Sequence, residues 1–151
     1  MMPVGYNNNY QIIQTDDHVV ILVEMIHDAR IIPLEGKHRP DVIRPWMGDS
    51  VAHYENDTLV IKTKNFRPGL AFRGAPETLA LTERFRRIGP DQLLYTFDID
   101  EPDVFTAPIR GELALNVIPG PIYEYACHEG NYSFPNQMLG YRLSETRSET
   151  D

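Results

Sequence analysis

Residues 79–99 read LALTERFRRIGPDQLLYTFDI, and two strands joined by one turn account for all of it. Side chains alternate across a strand, so Leu79, Leu81, Glu83 and Phe85 share one face while Ala80, Thr82, Arg84 and Arg86 share the other. Gly89, Pro90 and Asp91 supply the turn. Beyond it, Leu93, Tyr95, Phe97 and Ile99 form an apolar face, with Asp98 and Asp100 opposite. Two neighbouring strands with matching apolar faces are the start of a β core, and one carboxylate, Glu83, is set into it.

The same pattern recurs in both directions. β-branched runs at 10–15 and 19–26 flank Asp16, Asp17 and His18, and 29–34 is a further strand. Runs at 51–54 and 58–66 flank the turn Glu55, Asn56 and Asp57, and 109–117 and 122–126 lie either side of Pro119, Gly120 and Pro121. Segment 133–142 reads as a short helix or a closing loop. Twelve prolines and ten glycines punctuate these runs, the mark of many turns and little helix. The expected fold is all-β: an antiparallel β-barrel, lipocalin-like in broad shape, with a jelly roll or β-sandwich as the alternative. At 151 residues it reads as a single domain, 1–151, with an irregular lead-in over 1–9 and a frayed polar tail over 144–151.

Composition narrows the function classes. A net charge of −8 disfavours nucleic acid and anionic membrane surfaces as partners. The densest basic run, Arg84 to Arg87, reads as a solvated strand face. Cys127 is the only cysteine, so no internal disulfide is expected. No apolar run reaches the roughly 18 residues of a membrane span, and 1–9 lacks the pattern of a signal peptide.

Polar residues in phase with large apolar neighbours are the candidates for chemistry. Glu83 is one. Glu24 is another, in a strand with Val20, Leu22 and Ile26 on its face, and His27 and Arg30 follow it. Along 59–65 the apolar face ends in Thr63 and Asn65, with Val60, Lys62 and Lys64 turned outward. Tyr95 adds a hydroxyl to an otherwise plain core face. The densest cluster spans 123–132 and holds Tyr123, Tyr125, His128, Glu129 and Asn131. A histidine beside a carboxylate supplies acid–base chemistry near neutral pH, and tyrosines stack on a ligand ring.

The motifs YNNNYQIIQ at 6–14, EMIHDARIIP at 24–33, WMGDS at 46–50, DTLV at 57–60, TERF at 82–85 and YEYACHEGNY at 123–132 resemble those of a family of uncharacterised bacterial proteins. That family is abundant in soil bacteria such as acidobacteria, and many of its members look exported. The resemblance implies an exported or periplasmic location, and it marks Glu24, His27, Arg30, Asp49, Glu83, His128 and Glu129 as motif positions.

These readings converge on a small-molecule-binding barrel running a cofactor-free lyase, isomerase or hydratase reaction. His128 would move the proton, with Glu83 or Glu129 as its partner and Glu24 and His27 as further acid–base candidates. Arg30 would hold an anionic oxygen, with Tyr95, Tyr123, Tyr125, Asn131 and Trp46 as ligand contacts. Two alternatives stand beside it: a non-catalytic binding module, and a metal enzyme using His27, His53 and His128, for which no metal-ligand motif is present. An open sheet edge would allow a homodimer.

Overall fold

The computed structural model describes residues 9–67, 78–123, 130 and 132–148. Among the described residues, eight strands follow in order: β1 (Tyr10–Gln14), β2 (His18–Val23), β3 (Ala29–Pro33), β4 (Asp49–Glu55), β5 (Thr58–Lys64), β6 (Ala80–Gly89), β7 (Gln92–Asp100) and β8 (Ile109–Asn116). They form two antiparallel sheets, β1-β2-β3 and β4-β5-β6-β7-β8, in which every strand pairs only with its neighbours in sequence. β1 and β8 each end a sheet and are not paired with one another, so no closed barrel forms among the described residues. A single parallel bridge between Leu34 and Ala52 joins β3 to β4 across the gap.

Turn chemistry sets the hairpins. Thr15 Oγ1 accepts from the His18 N–H at 3.0 Å, and the Thr15 N–H donates to the His18 carbonyl at 2.9 Å, closing β1 onto β2. Asn56 takes a left-handed φ of 55° between β4 and β5, a conformation asparagine tolerates better than most side chains. Pro90 and Asp91 turn β6 into β7, with Glu83 opposite Phe97 and Phe85 opposite Tyr95.

The second strand is shorter than its apolar pattern predicts. It stops at Val23, and Met25–His27 forms a 3-10 turn with Glu24 at its start. The Val23 N–H bonds the Asp28 carbonyl and the Glu24 N–H bonds the Asn9 carbonyl, each in register with the ladder beside it, and the strand ends because Glu24 itself turns helical (φ −59°, ψ −51°). Val60, expected outside, is 1% exposed, so β5 is covered on both faces at its centre. Residues 122 and 123 are not in a strand, and the rest of the run expected at 122–126 lies outside the described residues. The expected short helix is longer: α1 spans Ser133–Ser148, making most of the expected frayed tail helical.

Val19, Ile21, Ile32, Ala52, Leu59 and Ile61 form the main core, packed by Tyr10, Ile12, Leu34 and Phe85. Burial of each large aliphatic side chain contributes about 1.5–3 kcal/mol. A second cluster gathers Leu79 and Ile99 with Phe66, Leu81, Phe97 and Ile109. Along β6 these clusters own Phe85 and Leu81, and Glu83 sits between the two.

Candidate functional site

Glu83 and Arg30 meet where the sheets pack. Alternation along β6 puts Glu83 on the inner face at 1% exposure, and alternation along β3 sends Arg30 inward at 6% while Ile31 stays outside. Arg30 Nη1 donates to Glu83 Oε1 at 3.0 Å and Nη2 to Oε2 at 2.6 Å, the two-pronged match of guanidinium to carboxylate. Nη2 also reaches Thr63 Oγ1 at 3.0 Å and Ser50 Oγ at 3.1 Å, and the Tyr95 hydroxyl donates to Glu83 Oε1 at 3.0 Å.

Burial of Glu83 opposes its charge, but the Arg30 guanidinium and the hydrogen bonds from Arg30 and Tyr95 outweigh it and hold the carboxyl below its ordinary range. Burial, then the charge of Glu83, pushes the Tyr95 hydroxyl well up, and the same two causes raise Tyr10. Glu83 is therefore a structural anion with both oxygens engaged, which leaves no proton to exchange near neutral pH. The space beside the pair, lined by Tyr10, Ile12, Ile21, Phe85 and Tyr95 among others, is only ≈ 20 Å³. That is room for about one water and no ligand.

The outer side of Arg30 opens differently. A cleft of ≈ 620 Å³ lies over Asp28–Ile31 and Pro33, the strip holding Lys37 and Arg39, and Pro45–Ser50. Its walls come from an irregular stretch pinned at three places. Asp49, 6% exposed, accepts from the Arg39 N–H at 2.9 Å and lies 2.8 Å from His38 Nδ1, fixing the strip to the start of β4. As a carboxylate Asp49 can only accept, so Nδ1 carries the proton in that contact. The Gly48 N–H bonds the Pro45 carbonyl at 3.1 Å to form the turn carrying Trp46. Gly48 has φ +76°, and a Cβ there would meet Thr63 and the Phe66 ring, so this turn needs glycine. Lys64 and Asn65 both donate to Asp41, tying the far side of the stretch to β5.

Trp46 is 61% exposed, with the Arg67 guanidinium 5.6 Å from its ring centroid. Residues 30–67 carry seven of the 14 lysines and arginines but five of the 22 acidic residues. In an acidic chain, the cleft thus sits in a stretch where basic residues outnumber acidic ones.

Three expected site residues, Arg30, Glu83 and Tyr95, come together, and Arg30 and Trp46 share the cleft wall. Glu24 is elsewhere: it leaves the strand and accepts from Asn9 Nδ2 at 2.7 Å. His27 is exposed with φ 59°, and the turn does not hydrogen-bond it to Glu24. Tyr123 is 74% exposed. Tyr125, His128, Glu129 and Asn131 lie outside the described residues. His53 bonds Glu55 on β4 at 3.0 Å, and among the described residues no group of three or more His, Cys, Asp or Glu is placed to hold a metal ion. Lys37, His38 and Arg39 were missed by sequence reasoning. Their signal was a compact basic run, Lys37-His38-Arg39, between Gly36 and Pro40. No family model, curated protein or solved structure matches the chain.

Proposed function

We propose that the protein binds a small organic anion with a flat, unsaturated part, in the cleft between β3 and the turn carrying Trp46. The observation that carries this reading is the cleft itself. Its ≈ 620 Å³ falls in the size range of small-molecule sites, and Lys37, Arg39 and an exposed indole converge on it. Lysine and arginine supply charge-assisted donors to a carboxylate, and the indole supplies a stacking face. Arg30, held rigid from behind by Glu83, lines the floor, and Asp49 positions the Lys37–Arg39 strip. In this reading the two sheets are halves of one incompletely closed, lipocalin-like barrel, joined at the Leu34–Ala52 bridge, with the ligand bound against its wall. A binding role is favoured over acid–base catalysis because the buried carboxylate is already committed to Arg30.

Trp46 is the only tryptophan, so its fluorescence reports on this cleft. Titration with benzoate and with other aromatic or conjugated acids such as cinnamate should give a saturable change in emission, while benzamide gives none. Lys37→Ala and Arg39→Ala should each weaken binding about tenfold, the value of one charge-assisted contact. No response to any acid at millimolar concentration, or equal binding of benzamide, would sink the reading.

A further inference from the structure

β8 ends the five-stranded sheet, and among the described residues nothing pairs with its outer edge. The Val117 N–H donates to the Asp91 carbonyl at 2.9 Å, in register with the β7–β8 ladder. Residues along an antiparallel strand alternate in directing both backbone groups toward one neighbour or the other. The odd-numbered residues of β8 therefore bond to β7. The N–H and C=O groups of Arg110, Glu112, Ala114 and Asn116 point to the open edge, and the side chains of the same four residues are exposed. Proteins usually blunt such edges with lysine, proline or a bulge. Between Pro108 and Pro119 this strand has neither lysine nor proline, and Val117 and Ile118 at its end are 65% and 50% exposed.

We propose that a second copy of this chain pairs with β8, antiparallel about a two-fold axis at Gly111, so that Arg110 of each copy lies opposite Glu112 of the other. Charge selects that register. Arg110 and Glu112 share a face and flank Gly111, so centring the pair there makes both cross-strand contacts attractive. Centring it on Glu112 would set that carboxylate against itself, and centring it on Leu113 would place the two Glu112 side chains diagonally. Hydrogen bonding agrees, because Arg110 and Glu112 both belong to the outward-pointing set and can exchange two bonds as a pair. Geometry agrees as well. The centre is a non-hydrogen-bonded position, where facing Cα atoms approach to about 4.5 Å. Gly111 brings no side chain there, and a Cβ at Gly111 would collide with the Phe97 ring that covers it. Toward the ends, Pro108 has no N–H to offer but its carbonyl can accept from the partner's Ala114. A seam of one strand is small for a protein interface, so the dimer is concentration-dependent.

Sedimentation velocity from low to high micromolar concentration tests this. The wild-type chain should pass from monomer to dimer. Glu112→Lys, which faces the partner's Arg110, should weaken the dimer about tenfold or more, and Arg110→Glu/Glu112→Lys should restore it by exchanging the signs. Arg110 also pairs with Asp98 at 2.7 Å within its own sheet, so that double variant carries a folding risk. Ala114→Pro covers it by removing an outward N–H that no described residue accepts, and it too should weaken the dimer while leaving the melting temperature of the monomer unchanged. A wild-type chain that stays monomeric throughout, with the edge left open or covered by its own residues 119–132, would overturn the proposal. So would a dimer indifferent to both Glu112→Lys and Ala114→Pro.

Discussion

Arg30 and Glu83 leave water together, and each is tolerable in the interior only because of the other. The Coulombic gain and the four hydrogen bonds that Arg30 donates offset a desolvation cost of several kcal/mol per ion. Removing one partner strands a buried charge, so Glu83→Leu should cost about 3–5 kcal/mol. Arg30→Leu/Glu83→Leu should recover much of that loss, because two apolar residues leave no buried charge unpaired, although the Tyr95 hydroxyl loses Glu83 as its acceptor. Urea unfolding of the two variants and the wild type checks both statements. A mild loss in the single variant would mean the pair is not holding the sheets. At this scale the sequence was half legible. Strand parity alone identified Glu83 as an inward carboxylate, which when buried needs a partner. It could not choose Arg30, which lies 53 residues away in another sheet, because parity carries no information about which strands face each other.

The hairpins are held by register, and register is sensitive to single side chains on the inner face. At the β7–β8 pair, Phe97 lies directly opposite Gly111 and its ring fills the space a side chain would take. Gly111→Ala should therefore cost about 1–3 kcal/mol by overpacking, and Phe97→Leu in the same chain should relieve part of it. Thermal melts of the single and double variants decide this, and simple additivity of the two losses would refute the contact. The elements that alternation and turn residues specify, β1, β3 and β4 through β8, were legible because both signals are local. The end of β2 was not. Apolar residues continue through Met25 and Ile26, and what stops the strand is the helical backbone of Glu24 and the 3-10 turn it opens, which the apolar pattern does not announce. The Lys37–Arg39 strip was illegible for a related reason: an irregular stretch has no period, so nothing in it says which side chains face inward.

For the whole molecule, the same buried cluster bounds stability on both sides of neutrality. The carboxyl of Glu83 is held below its ordinary value of 4.5 in the folded state. Its contribution is complete above that value and is lost as pH falls through the folded one. The hydroxyls of Tyr95 and Tyr10 are raised above their ordinary value of 10.0, so the unfolded chain loses those protons first and stability falls as pH climbs past 10. Melting temperature should show a plateau between roughly pH 5 and pH 10 with a decline on each side. Tyr95→Phe should flatten the alkaline decline more than the acidic one. An alkaline limb unchanged in that variant would remove Tyr95 from the account.

Strands that pair only with their sequence neighbours have a bearing on how the chain is made. As a polypeptide leaves the ribosome, β1, β2 and β3 can zip into a finished sheet before β4 exists, and each later strand finds its partner already waiting. Arg30 must wait through 53 further residues for Glu83. Until then its guanidinium lacks its anion, even as Ala52, Leu59 and Ile61 of β4 and β5 begin to cover the inner face of the first sheet. The second hairpin of the larger sheet delivers the missing anion, so the docking of the two sheets is completed only once β6 has been made.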